Sequence, residues 1–326
     1  MSENQQNTSG SFGDLNLNKT ERQSGLPLVS VVIPVYNGEK FILECLRSVA
    51  EQTYPRIQCI VVNDGSTDQT VELVRKSGLK VELVNQDHKN LPSARNTGIR
   101  YAAGDFIALL DADDLWYPDK IEAQVQMMME NPGAGLVFSD TEKFFPSGKI
   151  RYQKDKRELS LKLNNEDPFP ILIKKNIIVP SSVLIRSSIF KEIGYFDETL
   201  NSCEDWEFWL RFPVHHLQIR FLDRILTKYR FHGGNMSTKA DSMQQGRLQA
   251  LDKVFSDPLL HARYSKLKNQ AHARIYDEAA NAFYSAGNSE LFLSNFNKAW
   301  KLSRKGISGK TLRRWIRLKV FGKNIG

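Results

Sequence analysis

The stretch best equipped for chemistry is Asp105–Asp119, DFIALLDADDLWYPD. An apolar run, Phe106–Leu110, stops abruptly at Asp111, Asp113 and Asp114. Alternate residues of an extended segment point to one side, so Asp111 and Asp113 could face one bound ion. Two carboxylates at a strand end suit Mg²⁺ or Mn²⁺, which usually also bridge a substrate phosphate. The same residues also suit a solvated turn ahead of a helix starting near Pro118, with Asp114 as a helix-start residue. A second acidic pair, Glu204-Asp205, opens another expected helix, where its charge alone would be favoured.

These acids need a scaffold, and the chain supplies an alternating one. Leu28–Pro34, Ile57–Val62, Lys80–Asn85 and Phe106–Leu110 read as strands, the first a β-branched run of the kind buried on both faces of a parallel sheet. Between them, helical spacing links Phe41, Ile42, Cys45, Leu46 and Val49. Ser66 and Gln69 form a capping-box pattern ahead of Val71 and Val74, and Pro92 starts a third helix. Alternating strands and helices predict a parallel sheet with helices on its faces. In such sheets ligands bind beyond the carboxyl ends of the strands. Three polar clusters fall there: Tyr36–Glu39, Asn63–Ser66 and Asp111–Asp114. No GxGxxG follows the first strand and no GxxxxGK[ST] occurs, which weighs against dinucleotide and P-loop readings.

From Gly135 the alternation loosens. Leu136–Ser139, Val183–Ile185 and Ile219–Leu222 read as strands, with breaks at Pro146, Pro168, Pro170 and Pro180, and Tyr229–Ser237 reads as a turn-rich loop. Beyond Thr238 helices are expected at 241–255, 261–285, 289–303 and 310–321.

Composition sets the bounds. With 326 residues, 41% hydrophobic and 25% charged, the chain has room for an α/β core with an appendage. The polar start predicts a flexible lead over 1–27 and shows no secretory pattern, and no apolar run reaches membrane-span length. Three widely spaced cysteines argue for a reducing, cytoplasmic setting. The net charge of +8 raises nucleic acid as a partner, but ten Lys or Arg gather in 298–326 without an aromatic–basic reading motif, so none is expected. That tail places Leu312, Trp315, Ile316 and Val320 on one helical face. It suits either packing on the domain or peripheral contact with an anionic inner leaflet.

Taken together, VSVVIPVYNGEKFILECLRSVAEQTY, VVNDGSTDQT, LPSARNTGI, FIALLDADDLWYPDKI and the Glu204-Asp205 pair resemble an inverting glycosyltransferase of family 2, over roughly 28–237. The resemblance implies a GT-A fold: an α/β protein with a mostly parallel central sheet flanked by helices, here with a C-terminal helical extension over 238–326. It implies a nucleotide-sugar half (28–134) and an acceptor half (135–237). Pro34, Tyr36 and Glu39 would line the nucleotide pocket, with Tyr36 against the base, and Asp64 would accept a hydrogen bond from the base. Arg95 would approach the diphosphate or sugar. Asp111 and Asp113 match the metal-binding Asp-x-Asp for Mn²⁺ or Mg²⁺, and Asp205 matches the general base. Loop position and resemblance together offer His232 as a further metal ligand. The donor would be a nucleotide-diphosphate sugar, with UDP as carrier, and the acceptor a glycan or lipid-linked hydroxyl in cell-surface polysaccharide synthesis. Asn90-Leu91-Pro92 stands where the family commonly has a glycine. A non-catalytic nucleotide-sugar or glycan-binding module of the same fold is the alternative.

Overall fold

The computed structural model describes residues 25–152, 154–233 and 240–321. The lead expected over 1–27 lies outside the described residues apart from its last three, as do 234–237 of the turn-rich loop and the last five residues of the basic tail.

Four strands, β1 (Val29–Val35), β2 (Ile57–Asp64), β3 (Glu82–Gln86) and β4 (Phe106–Leu109), pair in parallel in the order β3-β2-β1-β4. Helices α1 (Ile42–Ala50), α2 (Thr70–Lys76) and α3 (Leu91–Tyr101) connect them. Strand order reverses between β1 and β4, and their carboxyl ends open the cleft used in such sheets. The second half is mixed. β8 (Val183–Arg186) runs antiparallel to both β4 and β6 (Ala134–Phe144), while β9 (Gln218–Arg230) runs parallel to β6. Two short strands missed by the sequence pattern complete the sheet: β5 (Leu115–Trp116) on β9 and β7 (Ile150–Tyr152) on β6. The expected parallel pairing therefore holds in the first half, and the antiparallel ladders belong to the second.

Each residue of β1 is buried, as its β-branched run requires. Its side chains alternate between two cores. Val31 and Ile33 join Leu46, Phe106 and Ile121 on one face, and Val32 joins Ile99, Leu136 and Trp206 on the other. That second core also contains Leu251, Val254, Leu260 and Ile275 from helices α9 (Ala240–Ser256) and α10 (Pro258–Ser285), so these helices bury apolar area with the sheet. The remaining C-terminal helices, α11 (Ser289–Leu302) and α12 (Gly309–Phe321), follow the expected spans closely. Gly287 turns the chain between α10 and α11 at φ 78°, a left-handed position that favours glycine. The expected apolar face of α12 is divided: Trp315 stacks on Phe296 with centroids 5.2 Å apart, while Ile316 and Val320 stay exposed.

Local signals misled at two helices. Ser66 does not cap α2: its hydroxyl accepts from the Asn37 amide at 2.9 Å, and the Glu39 carboxylate reaches across to accept from Gln69 N at 3.1 Å. Pro168 reads as a break but begins helix α6 (Pro168–Leu172), where a missing N–H costs nothing; Asp167 caps it by accepting from Phe169 N. Further helices among the described residues before 234 are α4 (Lys120–Glu130), α5 (Lys154–Lys162) and α7 (Ile189–Glu192). Helix α8 spans Glu204–Arg211.

Helix α3 lies hard against the parallel sheet at Gly98, where an added Cβ would press into Val32 and sit 3.1 Å from Val62 Cγ2. Both valines are buried. Gly98→Ala is therefore expected to lower stability by about 1–3 kcal/mol, the overpacking penalty exceeding alanine's helix advantage. Urea unfolding of the two proteins checks this, and an equal or raised midpoint would contradict it.

Candidate active site

The acidic loop leaves β4 and is fixed from several directions. Ser181, in the 3₁₀ turn Pro180–Ser182, accepts from Asp111 N at 3.1 Å and donates to Asp114 Oδ2 at 2.6 Å. Its carbonyl accepts from Trp116 Nε1 at 2.7 Å. Asp114 also accepts from Arg230 N at 2.8 Å. Asp114 is fully buried, so it is a structural carboxylate and not the solvent-facing helix start expected of it. Burial, with Asp113 and Asp111 nearby, pushes its pKa well up.

Asp111 and Asp113 stay partly open, with side chains 25% and 28% exposed. Asp113 meets His232 Nε2 at 2.9 Å. Its pKa is raised by burial and then by Asp111, against the pull of His232. Arg230 braces this end of the cleft, donating to the Asp113 carbonyl at 2.8 Å and to Glu44 Oε2 at 2.6 Å from between the rings of Phe41 and Phe144.

Arg95 lies beneath the loop, 1% exposed. It donates to Asp111 Oδ1 at 2.7 Å and to Glu204 Oε1, so its guanidinium joins α3, the β4 end and α8 instead of opening toward a diphosphate. Burial opposes its charge, but Asp111 and Glu204 hold its pKa above the ordinary value. Glu204 is itself buried, which raises its pKa to about 7 despite Arg95. The chain enters α8 through Cys203 at φ 63°, a conformation uncommon for non-glycine residues that sets the direction of Glu204 and Asp205.

Asp205 follows, half-buried. Its Oδ2 accepts from Asn176 Nδ2 at 2.9 Å, and Oδ1 accepts from Trp206 N at 2.7 Å. Burial raises its pKa, Arg95 and Asn176 pull it down, and the charge of Asp111 raises it again. The structure thus brings Asp111, Asp113, His232, Arg95, Glu204 and Asp205 into one electrostatically linked group.

The other predicted residues are arranged differently. Tyr36 is 49% exposed, and its ring stacks on His88 at 4.0 Å. Asp64 is buried and faces the 86–89 loop, accepting from Gln86 Nε2 at 2.6 Å and Lys89 N at 3.0 Å, with His88 Nδ1 2.9 Å from Oδ2. Pro34 is buried within β1 opposite Val62, and exposed Glu39 serves the start of α2. Asn90, where the family commonly has glycine, caps α3 by accepting from Ser93 N at 3.0 Å and ties to the Glu198 carbonyl. Sequence reasoning missed His88, Asn176 and Ser181. The end of β3 was a signal for His88; the other two carry none, since their roles depend on partners far along the chain.

Among the described residues no three His, Cys, Asp or Glu side chains converge as a closed ion-binding group. The open donor set of Asp111 and Asp113, two mutually repelling carboxylates, fits a hard divalent cation that keeps part of its shell for phosphate oxygens and water.

A mixed sheet with this acidic loop at its switch point and an acidic helix start facing it defines a GT-A glycosyltransferase. The chain belongs to glycosyltransferase family 2: the model of that family, Glycosyl transferase family 2, matches residues 30–194. It is 31% identical over 292 residues to an uncharacterised glycosyltransferase of Rickettsia typhi, covering 87% of each chain. It is 32% identical over 182 residues to the Escherichia coli UDP-Glc:alpha-D-GlcNAc-diphosphoundecaprenol beta-1,3-glucosyltransferase WfgD, covering 50% of this chain and 72% of that one. The solved mannosyltransferase PcManGT of Pyrobaculum calidifontis, in complex with GDP-Man and Mn²⁺, superposes with TM-score 0.61 at 20% identity, over 92% of this chain and 89% of that one.

Glu204→Ala strips a buried partner from Arg95. Stability is expected to fall by about 3 kcal/mol, as when one member of a buried ion pair is removed. Chemical denaturation measures this, and an unchanged midpoint would show that Asp111 alone satisfies the guanidinium.

Proposed function

We propose that this glycosyltransferase moves a sugar from a nucleotide-diphosphate donor, with UDP as carrier, to an acceptor hydroxyl with inversion at the anomeric carbon. The observation that carries the reading is the Arg95 bridge, which joins the open Asp111 loop to the helix start bearing Asp205. In this reading 28–134 serve the donor, 135–237 serve the acceptor and 238–326 support both.

Asp205 takes the acceptor proton. As the hydroxyl oxygen bonds to the anomeric carbon, the bond from that carbon to the diphosphate oxygen breaks and its electron pair leaves with the nucleotide. Asn176 holds the carboxylate in place, and burial keeps it basic enough to accept the proton. Arg95 acts through Asp111 as a positioning residue. A divalent cation, Mn²⁺ or Mg²⁺, would be held by Asp111 and Asp113, with His232 positioning Asp113 or adding a ligand, and would supply positive charge to the leaving diphosphate. Tyr36 offers an open ring for the base. Asp64 shapes the loop beneath it and keeps acceptor capacity on Oδ2. The WfgD name supports both the UDP carrier and a lipid-linked acceptor in surface glycan synthesis, and PcManGT supports Mn²⁺.

Donor binding by calorimetry and transfer from UDP-sugars in Mn²⁺ test this reading. Asp205→Asn is expected to cut kcat by about 100-fold or more while donor affinity persists. Asp113→Asn is expected to weaken donor binding and remove its Mn²⁺ dependence. Because burial raises the Asp205 pKa and its deprotonated form is the active one, activity should fall as pH drops, at a pH higher than an ordinary aspartate would set. Full turnover by Asp205→Asn would overturn the assignment, and donor binding without turnover by the native chain would favour a binding module.

No helix among the described residues is long and apolar enough to cross a membrane. Exposed Ile316 and Val320 beside the tail's cations support peripheral contact with an anionic leaflet. Sedimentation with vesicles rich in anionic lipid at low salt should retain the full chain and lose a truncation after Trp300; equal retention would refute the contact.

A further inference from the structure

The acidic loop is held a second time, by a segment of the acceptor half. Strand β8 runs antiparallel to β4, pairing Phe106 with Arg186 and Ala108 with Leu184. Leu184 is buried in one core, and its neighbours Val183 and Ile185 in the other. A one-residue slip would turn all three to the wrong side, so the register is strongly specified. Carried on past the Ala108–Leu184 pair, that register sets Ser181 opposite Asp111. This is why one hydroxyl of the Pro180–Ser182 turn reaches both Asp111 N and Asp114 Oδ2. The chain beyond the acidic loop then closes around the same turn. Trp116 Nε1 donates to the Ser181 carbonyl and Gln124 Nε2 to the Ser182 carbonyl, each at 2.7 Å. Lys120 Nζ donates to Gln124 Oε1 at 2.7 Å and lies 4.0 Å from the Trp116 ring centroid. Ser181, Ser182, Lys120 and Gln124 are fully buried, where a lost hydrogen bond leaves its partner unsatisfied.

The other end of this segment serves Asp205. Asn176 stands five positions before Ser181, and its Nδ2 donates to Asp205 Oδ2 at 2.9 Å. The backbone between the two is stiff. Ile177 and Ile178 are buried in the core, the Pro180 ring fixes its own φ, and Ser182 N donates to the Val179 carbonyl at 2.9 Å. One short segment therefore reaches the loop of Asp111 at one end and Asp205 at the other, by a route that does not pass through Arg95. We infer that 176–182 act as a positioning strap: Ser181 sets the Asp111 loop for the divalent cation, Asn176 sets Asp205 for the acceptor hydroxyl, and the backbone between them fixes each relative to the other. This inference rests on the transferase reading above and names the residues that register its two halves.

The test uses the full chain. Mn²⁺ binding in saturating UDP is measured from the loss of the free Mn²⁺ electron paramagnetic resonance signal, and UDP binding with and without Mn²⁺ by calorimetry. Turnover is read as UDP released from UDP-glucose and UDP-GlcNAc. Ser181→Ala is expected to weaken Mn²⁺ binding about tenfold, the scale of a lost hydrogen bond to a charged group, with metal-free UDP binding unchanged. Ser181→Cys, a weaker donor of similar shape, is expected to fall between, and it carries the metal arm where the alanine variant does not fold. Asn176→Ala is expected to do the converse, lowering kcat about tenfold at native affinity for Mn²⁺ and UDP. Pro180→Gly frees the backbone between the two ends and is expected to lower Mn²⁺ affinity and kcat together, each by about threefold or more. A general loss of stability would lower Tm without sorting the effects by end, so the split identifies positioning. Native Mn²⁺ affinity in both Ser181 variants, native kcat in Asn176→Ala, or unchanged affinity and rate in Pro180→Gly would overturn the strap. Failure of the native chain itself to bind UDP with Mn²⁺ would instead strike at the transferase reading.

Discussion

The site depends on one buried guanidinium. Arg95 is enclosed, and placing a charge where water cannot reach it is costly unless carboxylates surround it. Two do, and they come from distant parts of the chain: Asp111 at the end of β4 and Glu204 at the start of α8. Through them the guanidinium ties the loop after β4 directly to the start of α8. The arrangement is not fully satisfied, since Arg95 Nε is buried without a partner. An ion pair of this kind contributes little net stability compared with apolar packing, but it penalises any conformation in which either carboxylate moves away. That penalty explains why a buried guanidinium can hold the loop after β4 and the start of α8 in register.

The loop itself sets three acids within four residues, and the surrounding structure gives each a different environment. Asp114 is buried and takes hydrogen bonds from Ser181 and Arg230 N. Asp111 takes Arg95, and Asp113 takes His232. Each partner belongs to a different element, so the loop has its present form only when the sheet is complete. Burial, and then repulsion from Asp111, still raises the pKa of Asp113. A positive charge at the cleft mouth would lower the energy of the group as a whole, which is a physical reason to expect cation affinity there even though the described residues form no closed shell.

Much of this was legible in the sequence, for identifiable reasons. β-branched runs such as VSVVIPV can only be buried strands, and the C-terminal helices carry long uninterrupted patterns. Asp111, Asp113 and Asp205 stood out through the spaced motifs around them, since acids at turns and helix starts are also favoured by local charge alone. The environments were not legible. Arg95 read as a cleft residue, yet it is covered by acids 16 and 109 positions away. Ser66 read as a cap, but Glu39 from the neighbouring loop took over the start of α2. Asp64 and Asp114 read as pocket or turn residues and are interior ones. In each case a tertiary partner outcompeted a local signal, and no window of sequence contains that partner.

β9 shows how a small irregularity decides which side chains reach the site. Phe138 pairs with Phe221 in the core, and from Leu136 and Ile219 the two strands advance in step up to Ser139 and Leu222. Between there and the Thr141–Thr227 pair, β6 advances two residues while β9 advances five. The three extra residues form an irregular bulge, and three is odd. Relative to β6, the pairing parity of β9 is therefore exchanged: Phe138 stands beside Phe221, but Phe144 stands beside Arg230. Arg230 and His232 consequently turn toward the acidic loop, and Tyr229 lies beside Lys143. The bulge carries no conspicuous motif, yet it decides which β9 side chains stand beside which β6 side chains at the cleft.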